Sequence, residues 1–335
     1  MQYNYNMTTT IQINVAGDHW FNKPKFIQSL EAADPTQTLV LEVNSEAPCL
    51  KSLGVRAVID AWLHKHNKSP ETVVITKWRN TAELVPYQRL SSTTSQFFKY
   101  SKNYWPDSHP LESADAKLFG LFLGRRTIAR NVILYLVANH YSDYFLLSLM
   151  KNKNPNRWPS TNEDTVNLEV LDQWATPIEQ LKIKDWIETS AISSLDGRSQ
   201  QDQYTVVEQS AAECNRSLLC YYHKFHIEIV CETYTIGDTF FPTEKTVRPI
   251  ASAKPMLVYG PRYFLQRLQE LGFKTYSTCW NEDYDTLQGP ERWQAIQMII
   301  DNLIRLSKSE VCDLLADAKQ IAVHNRAHLE KMISS

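Results

Sequence analysis

The sequence predicts an α/β protein built from two Rossmann-like domains. Three observations carry that prediction. Short β-branched runs alternate with helix-spaced apolar stretches, as in TLVLEV at 38–43, LGVRAVIDAWLHKH at 53–66 and TVVIT at 72–76. The same alternation restarts at KLFGLFL, residues 117–123, after an aromatic stretch broken by prolines. The length, 335 residues, exceeds what one ordinary core needs. Strand, helix and strand at this spacing form a βαβ unit with parallel strands.

The elements follow in order. IQINV, residues 11–15, alternates and stops at Gly17-Asp18, giving a short strand. TLVLEV is a stronger strand, and its polar exit Asn44-Ser45-Glu46-Ala47 is stopped by Pro48. The stretch 53–66 places Val55, Val58, Ile59 and Trp62 at helical spacing, and TVVIT reads as a buried parallel strand. Residues 80–114 are irregular and hold the junction near 106–115, which sets an N-terminal domain at 1–110 and a C-terminal domain at 111–335. KLFGLFL then forms a strand and a helix runs from about Ile128 to Asn139, while YFLLSL at 144–149 is a strand or a helix end. Residues 151–215 read as a long insertion with short helices around 178–188. FHIEIVCE is a strand, a helix starts at Thr243, and Pro255 to Gly260 is a strand. Residues 261–271 form a helix stopped by Gly272, 274–278 a last strand, and 290–331 two closing helices. Two Rossmann-like halves with C-terminal helices packing back give a GT-B-like outline.

Composition narrows the function classes. Hydrophobic residues make up 43% and charged residues 21%, as in a soluble globular protein. The net charge of −2 gives no electrostatic footprint for general nucleic-acid binding. No apolar run is long enough for a membrane span, and the polar start MQYNYNMTTT lacks a signal-peptide layout. Six cysteines without a CxxC pair fit reduced thiols in a cytoplasmic setting. There is no GxxxxGK[ST], GxGxxG or GxSxG, which argues against P-loop, dinucleotide and α/β-hydrolase chemistry.

Candidate chemistry gathers at the stretch 225–262. Thr243 is a good N-cap, and a helix N-terminus carries free N–H groups and partial positive charge. Lys245 there suits a diphosphate, and Glu244 suits a pair of ribose hydroxyls; a plain cap with a solvated first turn is the alternative. Arg126 and Arg130 lie one helical turn apart after the strand 117–123, where guanidinium groups match phosphate oxygens or pair on the surface. Arg248 extends the basic set one turn beyond Glu244. Glu232, at the end of FHIEIVCE, is either a loop organiser or a sugar contact. Glu46, after the strongest N-terminal strand, is either a turn residue or a general base for an acceptor hydroxyl. Asp283-Tyr284-Asp285 matches a short acidic string, and His64/His66, His223/His226 and His324/His328 have ligand-like spacing; none is assigned a metal.

Cys231-Glu232-Thr233 followed by FFPTEKTVRPIASAKPMLVYGP resembles the donor-binding signature of α1,3-fucosyltransferases. Cys231 and Thr233 stand where that family has phenylalanine and asparagine. The chain also looks like uncharacterised glycosyltransferase-like proteins of phages and large DNA viruses, in Glu46-Ala47-Pro48, the Thr-Glu-Lys block and Leu271 to Asp285. The resemblance implies an inverting GT-B enzyme that needs no metal and no prosthetic group and uses a nucleotide-diphosphate sugar, GDP- or UDP-linked. It implies that Glu244 meets the ribose, Lys245 and Arg130 the diphosphate, and Glu232 the sugar. By the same resemblance the base is an N-terminal-domain glutamate, for which Glu46 is the candidate. Partners would be the nucleotide-sugar and a glycan or other hydroxyl acceptor. Two alternatives stand beside this: a non-catalytic nucleotide- or glycan-binding protein on the same fold, and a glycosyltransferase acting on modified bases of phage DNA.

Overall fold

The computed structural model describes residues 8–14, 21–43, 49–76 without 52, 86–90, 113–124 without 114, 128–149, scattered positions between 179 and 192, and 218–334 without 236 and 238. Two four-stranded, all-parallel sheets organise these residues. The chain is therefore an α/β protein with two Rossmann-like units.

The first sheet runs in the order β1 (Thr8–Ile13), β2 (Thr38–Val43), β3 (Val73–Thr76), β4 (Gln88–Leu90). Helix α1 (Lys23–Glu31) links β1 to β2, and α2 (Val55–Lys65) links β2 to β3. Right-handed crossovers taken in one direction put both helices on one face. Ile11, Ile13, Leu39, Leu41 and Val43 bury against Phe26, Leu30, Ile59, Trp62 and Leu63 on that face. Helix α1 had no forecast from the sequence. Asn22 caps it by accepting from the Lys25 N–H at 2.9 Å, and Pro24 sits in its first turn.

The second sheet has the order β6-β5-β7-β8, with β5 at Lys117–Leu123, β6 at Phe145–Leu149, β7 at Phe225–Cys231 and β8 at Met256–Tyr259. The connection β5 to β6 carries α3 (Ile128–His140) one way; β7 to β8 carries α4 (Glu244–Ala251) the other way. The right-handed rule then places α3 and α4 on opposite faces. Both faces are covered, so β7 and β8 are buried almost throughout, as parallel strands require. Helix α5 (Phe264–Glu270) follows β8. Of the closing helices, α6 (Gly289–Arg305) packs on β8 and α3, and α7 (Lys308–Ser334) packs on α4. Tyr141 ties α3 to α6 by donating to Asp301 Oδ1 at 2.9 Å.

Most of the forecast insertion 151–215 lies outside the described residues. Within it, Ile183 joins the core and Trp186 meets Tyr135 of α3 edge-on at 5.2 Å. The forecast strand at 274–278 is corrected: this stretch is a turn. Its backbone is taken by side chains, with the Lys274 N–H on Asn325 Oδ1 at 2.7 Å and the Tyr276 N–H on Glu282 Oε1 at 2.8 Å. Among the described residues no helix is long and apolar enough to cross a membrane.

A buried ionic pin joins α4 to the sheet. Arg248 is 2% exposed and pairs through Nη2 with Glu228, which is 1% exposed and sits in β7. Arg248 Nε donates to Tyr222 Oη at 2.6 Å, Tyr222 donates to Glu228, and the guanidinium lies 5.5 Å from the Phe122 ring centre. Burial pushes the Glu228 carboxyl up against the pull of Arg248. Removing one partner of such a pair strands the other charge, which costs about 3–5 kcal/mol. Glu228→Ala is therefore expected to lose that much stability in urea unfolding, and the double change Glu228→Leu with Arg248→Met to recover most of it. A loss under about 1 kcal/mol in the single variant would show that α4 is held by other contacts.

Candidate functional site

The site follows from the strand order. In an open parallel sheet, ligands bind outside the carboxyl ends of the strands where the winding reverses. Here the reversal lies between β5 and β7. Gly124 follows β5 and leads to α3; Glu232 follows β7 and leads, through the loop 232–243, to α4. Among the described residues, a Cβ added to Gly124 would meet nothing within 4 Å.

Glu232 shapes the other wall. Its carboxylate is 1% exposed and accepts from four protein donors. The Thr243 N–H binds Oε1 at 3.0 Å, and the Thr246 hydroxyl binds the same oxygen. The Thr243 hydroxyl donates to Oε2 at 2.7 Å, and the Thr233 N–H joins it at 3.1 Å. One carboxylate thus ties the end of β7 to the first turn of α4. Thr243 completes the cap, since its Oγ1 accepts from the Lys245 N–H at 3.3 Å.

Lys245 sits on this frame. Its Nζ donates to Glu244 Oε1 at 2.7 Å, Thr233 Oγ1 at 3.1 Å and Thr243 Oγ1 at 3.2 Å. The two side chains keep 13% and 28% of their surface exposed, so the pair stands at the crevice rim. Burial pushes the Glu244 carboxyl up, but the adjacent Lys245 ammonium and its hydrogen bond outweigh this and hold it down at about 2. From the opposite wall, Arg130 Nη2 crosses to the Cys231 carbonyl at 2.9 Å and the Glu232 carbonyl at 2.6 Å. Burial pushes the Cys231 thiol up to about 12, so it supplies no thiolate here.

Of the residues singled out in the sequence, Arg130, Glu232, Thr243, Glu244 and Lys245 come together at the switch point. Glu232 is placed as the loop organiser, since protein donors fill its oxygens; the sugar-contact expectation is corrected on that ground. Arg248 as a donor-binding residue is also corrected. It lies one turn deeper than Glu244, over the middle of β7, and is committed to Glu228 and Tyr222. Glu46 and Arg126 lie outside the described residues. The acidic string is structural: Asp285 accepts the Leu265 and Gln266 N–H groups at 3.0 and 3.1 Å and pairs with Arg292 at 2.9 Å. His328 meets the Leu271 carbonyl at 2.8 Å, and no group of metal-ligating side chains forms among the described residues.

Two contributors went unmarked in the sequence. Thr246 and Thr233 bind the organising carboxylate or the lysine. A threonine three residues after an N-cap threonine could have signalled the first.

No family model matches this chain, and no curated protein matches it. Among solved structures it is similar to one titled "OtsA apo structure", at 11% identity and a TM-score of 0.36, over 97% of this chain and 72% of that one. An overlap that loose says nothing of what this chain binds. The strand orders define a two-unit α/β protein whose second unit gathers polar side chains at its switch point.

The depressed Glu244 carboxyl has a pH consequence. Its contribution to stability is complete above the unfolded value of 4.5 and is lost as the pH falls towards about 2. Glu244→Gln should flatten this part of the acid limb, read as urea midpoints at pH steps from 5 down to about 2. Parallel curves for the two proteins would assign the limb to other carboxylates.

Proposed function

We propose that this chain is a glycosyltransferase that moves a sugar from a nucleotide-diphosphate donor to an acceptor hydroxyl. One observation carries the reading. The switch point between β5 and β7 gathers a rim lysine, an ionised rim carboxylate and a capped helix N-terminus, with a buried arginine bracing the wall. That combination suits a ligand with a negative diphosphate and neighbouring hydroxyls. The resemblance to α1,3-fucosyltransferases in the Thr-Glu-Lys block supports the same assignment.

In this reading the diphosphate sits at the N-terminus of α4, and Lys245 exchanges its threonine and glutamate partners for phosphate oxygens. Glu244, released from Lys245, accepts the ribose hydroxyls. Arg130 adds positive charge behind the wall, and Arg126 is assigned to the donor with it. Negative charge grows on the leaving diphosphate as the glycosidic bond breaks, and these fixed groups stabilise it. They supply the positive charge themselves, so the reading calls for no metal ion. The acceptor hydroxyl attacks from the N-terminal side, with Glu46 taking its proton, and the anomeric configuration inverts in one displacement. The fucosyl or hexosyl identity of the sugar, and the guanine or uracil base, belong to this proposal as its open arms.

Lys245→Ala is expected to lower turnover of the accepted nucleotide-sugar at least 100-fold while the unfolding midpoint shifts little. It should also abolish the thermal stabilisation given by UDP or GDP, since a ligand that binds only the folded state raises apparent stability. Full turnover in that variant would remove the central assignment. Stabilisation without hydrolysis or transfer across a nucleotide-sugar panel would favour the non-catalytic binding protein.

A further inference from the structure

An ammonium group has three N–H donors, and all three of Lys245 are engaged. They go to Glu244 Oε1 at 2.7 Å, Thr233 Oγ1 at 3.1 Å and Thr243 Oγ1 at 3.2 Å. The first of these contacts is unusual. Consecutive residues on a helix do not face each other, yet Glu244 and Lys245 pair as the first two residues of α4. The two hydroxyls are neutral, and Thr243 is itself held by Glu232. Glu244 is therefore the charged partner of Lys245 among the described residues. Against the pull of burial, the lysine keeps that carboxyl ionised at neutral pH. Both side chains retain exposed surface.

We infer that Glu244 is a gate on Lys245 that selects nucleoside diphosphates against free pyrophosphate. This rests on the nucleotide-sugar reading above and adds a discrimination to it. Any anion that engages Lys245 must displace one of its three partners. Whichever partner yields, the anion settles beside the Glu244 carboxylate, and like charges so placed repel. Pyrophosphate brings no sugar hydroxyls to offset that repulsion. A nucleoside diphosphate brings two, and carboxylate oxygens accept from both. The same carboxylate thus ties down the lysine and opposes a bare diphosphate. Only a ligand with hydroxyl donors next to its phosphates satisfies it again. Selection here comes from the penalty on the wrong anion as much as from contacts with the right one.

Calorimetric titration of wild type and Glu244→Gln with pyrophosphate, UDP and GDP tests the gate by sign. The amide keeps the size of the side chain and removes its charge. Pyrophosphate should bind Glu244→Gln about tenfold more tightly than wild type. Whichever of UDP and GDP binds wild type should gain less than about twofold. A second comparison needs no variant: the 2′,3′-dideoxy form of that nucleotide should bind wild type about tenfold more weakly than its parent. Unchanged or weaker pyrophosphate binding in Glu244→Gln would overturn the inference, since a merely structural first-turn carboxylate gives that result. An equal gain for pyrophosphate and nucleotide would also overturn it, as would a dideoxy form that binds wild type as well as its parent. Wild-type protein that binds neither UDP nor GDP would instead overturn the nucleotide-sugar reading, and the gate with it.

Discussion

The site depends on one carboxylate. Glu232 ends β7 and spends its oxygens on Thr233, Thr243 and Thr246. A buried carboxyl group is costly unless donors surround it, and here two backbone N–H groups and two hydroxyls do so. The result is a fixed relation between a strand end and a helix start, eleven residues apart in sequence. Lys245 inherits its position from that frame, because two of its three partners, Thr233 and Thr243, are themselves held by Glu232. Geometry at the rim is thus set from beneath.

Four buried or half-buried cations show how similar residues divide into separate tasks. Arg248 and Arg292 are enclosed by acceptors: Glu228 and Tyr222 around the first, Asp285 and the carbonyls of Val258, Pro261 and Leu287 around the second. Both pin helices to strands, and neither faces the crevice. Arg130 is intermediate, since it braces the β7 exit while standing at the switch point. Lys245 alone of these four keeps its head group at the rim, on partners an anion can replace. A lysine suits that place because its ammonium turns freely between partners, whereas a guanidinium fork is bound to one plane.

Much of the frame was legible in the sequence because parallel strands buried on both faces read as unbroken apolar runs. KLFGLFL, FHIEIVC and MLVY were plain for that reason, and Thr243 announced the start of α4. Helix α1 was hidden, because only Phe26 and Leu30 bury along nine residues and the amphipathic signal is thin. The turn at 274–278 was read as a strand; its backbone partners come from Asn325 and Glu282, which no local pattern reveals. The same limit explains Arg248. Sequence put it near the helix start, and only the partner in β7 shows that it faces inward.

The two sheets differ in their winding. The first winds in one direction among its described strands and offers no reversal point. Its helix-covered face is apolar, but the other face carries Gln12, Glu42 and Thr76 in register at the carboxyl ends of β1, β2 and β3. Gln12 donates to Glu42 there. A polar row on a parallel sheet departs from the unbroken apolar runs of strands buried on both faces. The second sheet reverses between β5 and β7, and the reversal opens a gap that α3 and α4 flank from opposite faces. A charged ligand is best held in that gap, where helix N–H groups and a rim cation converge. Winding direction, as much as any single residue, therefore sets the second unit apart from the first.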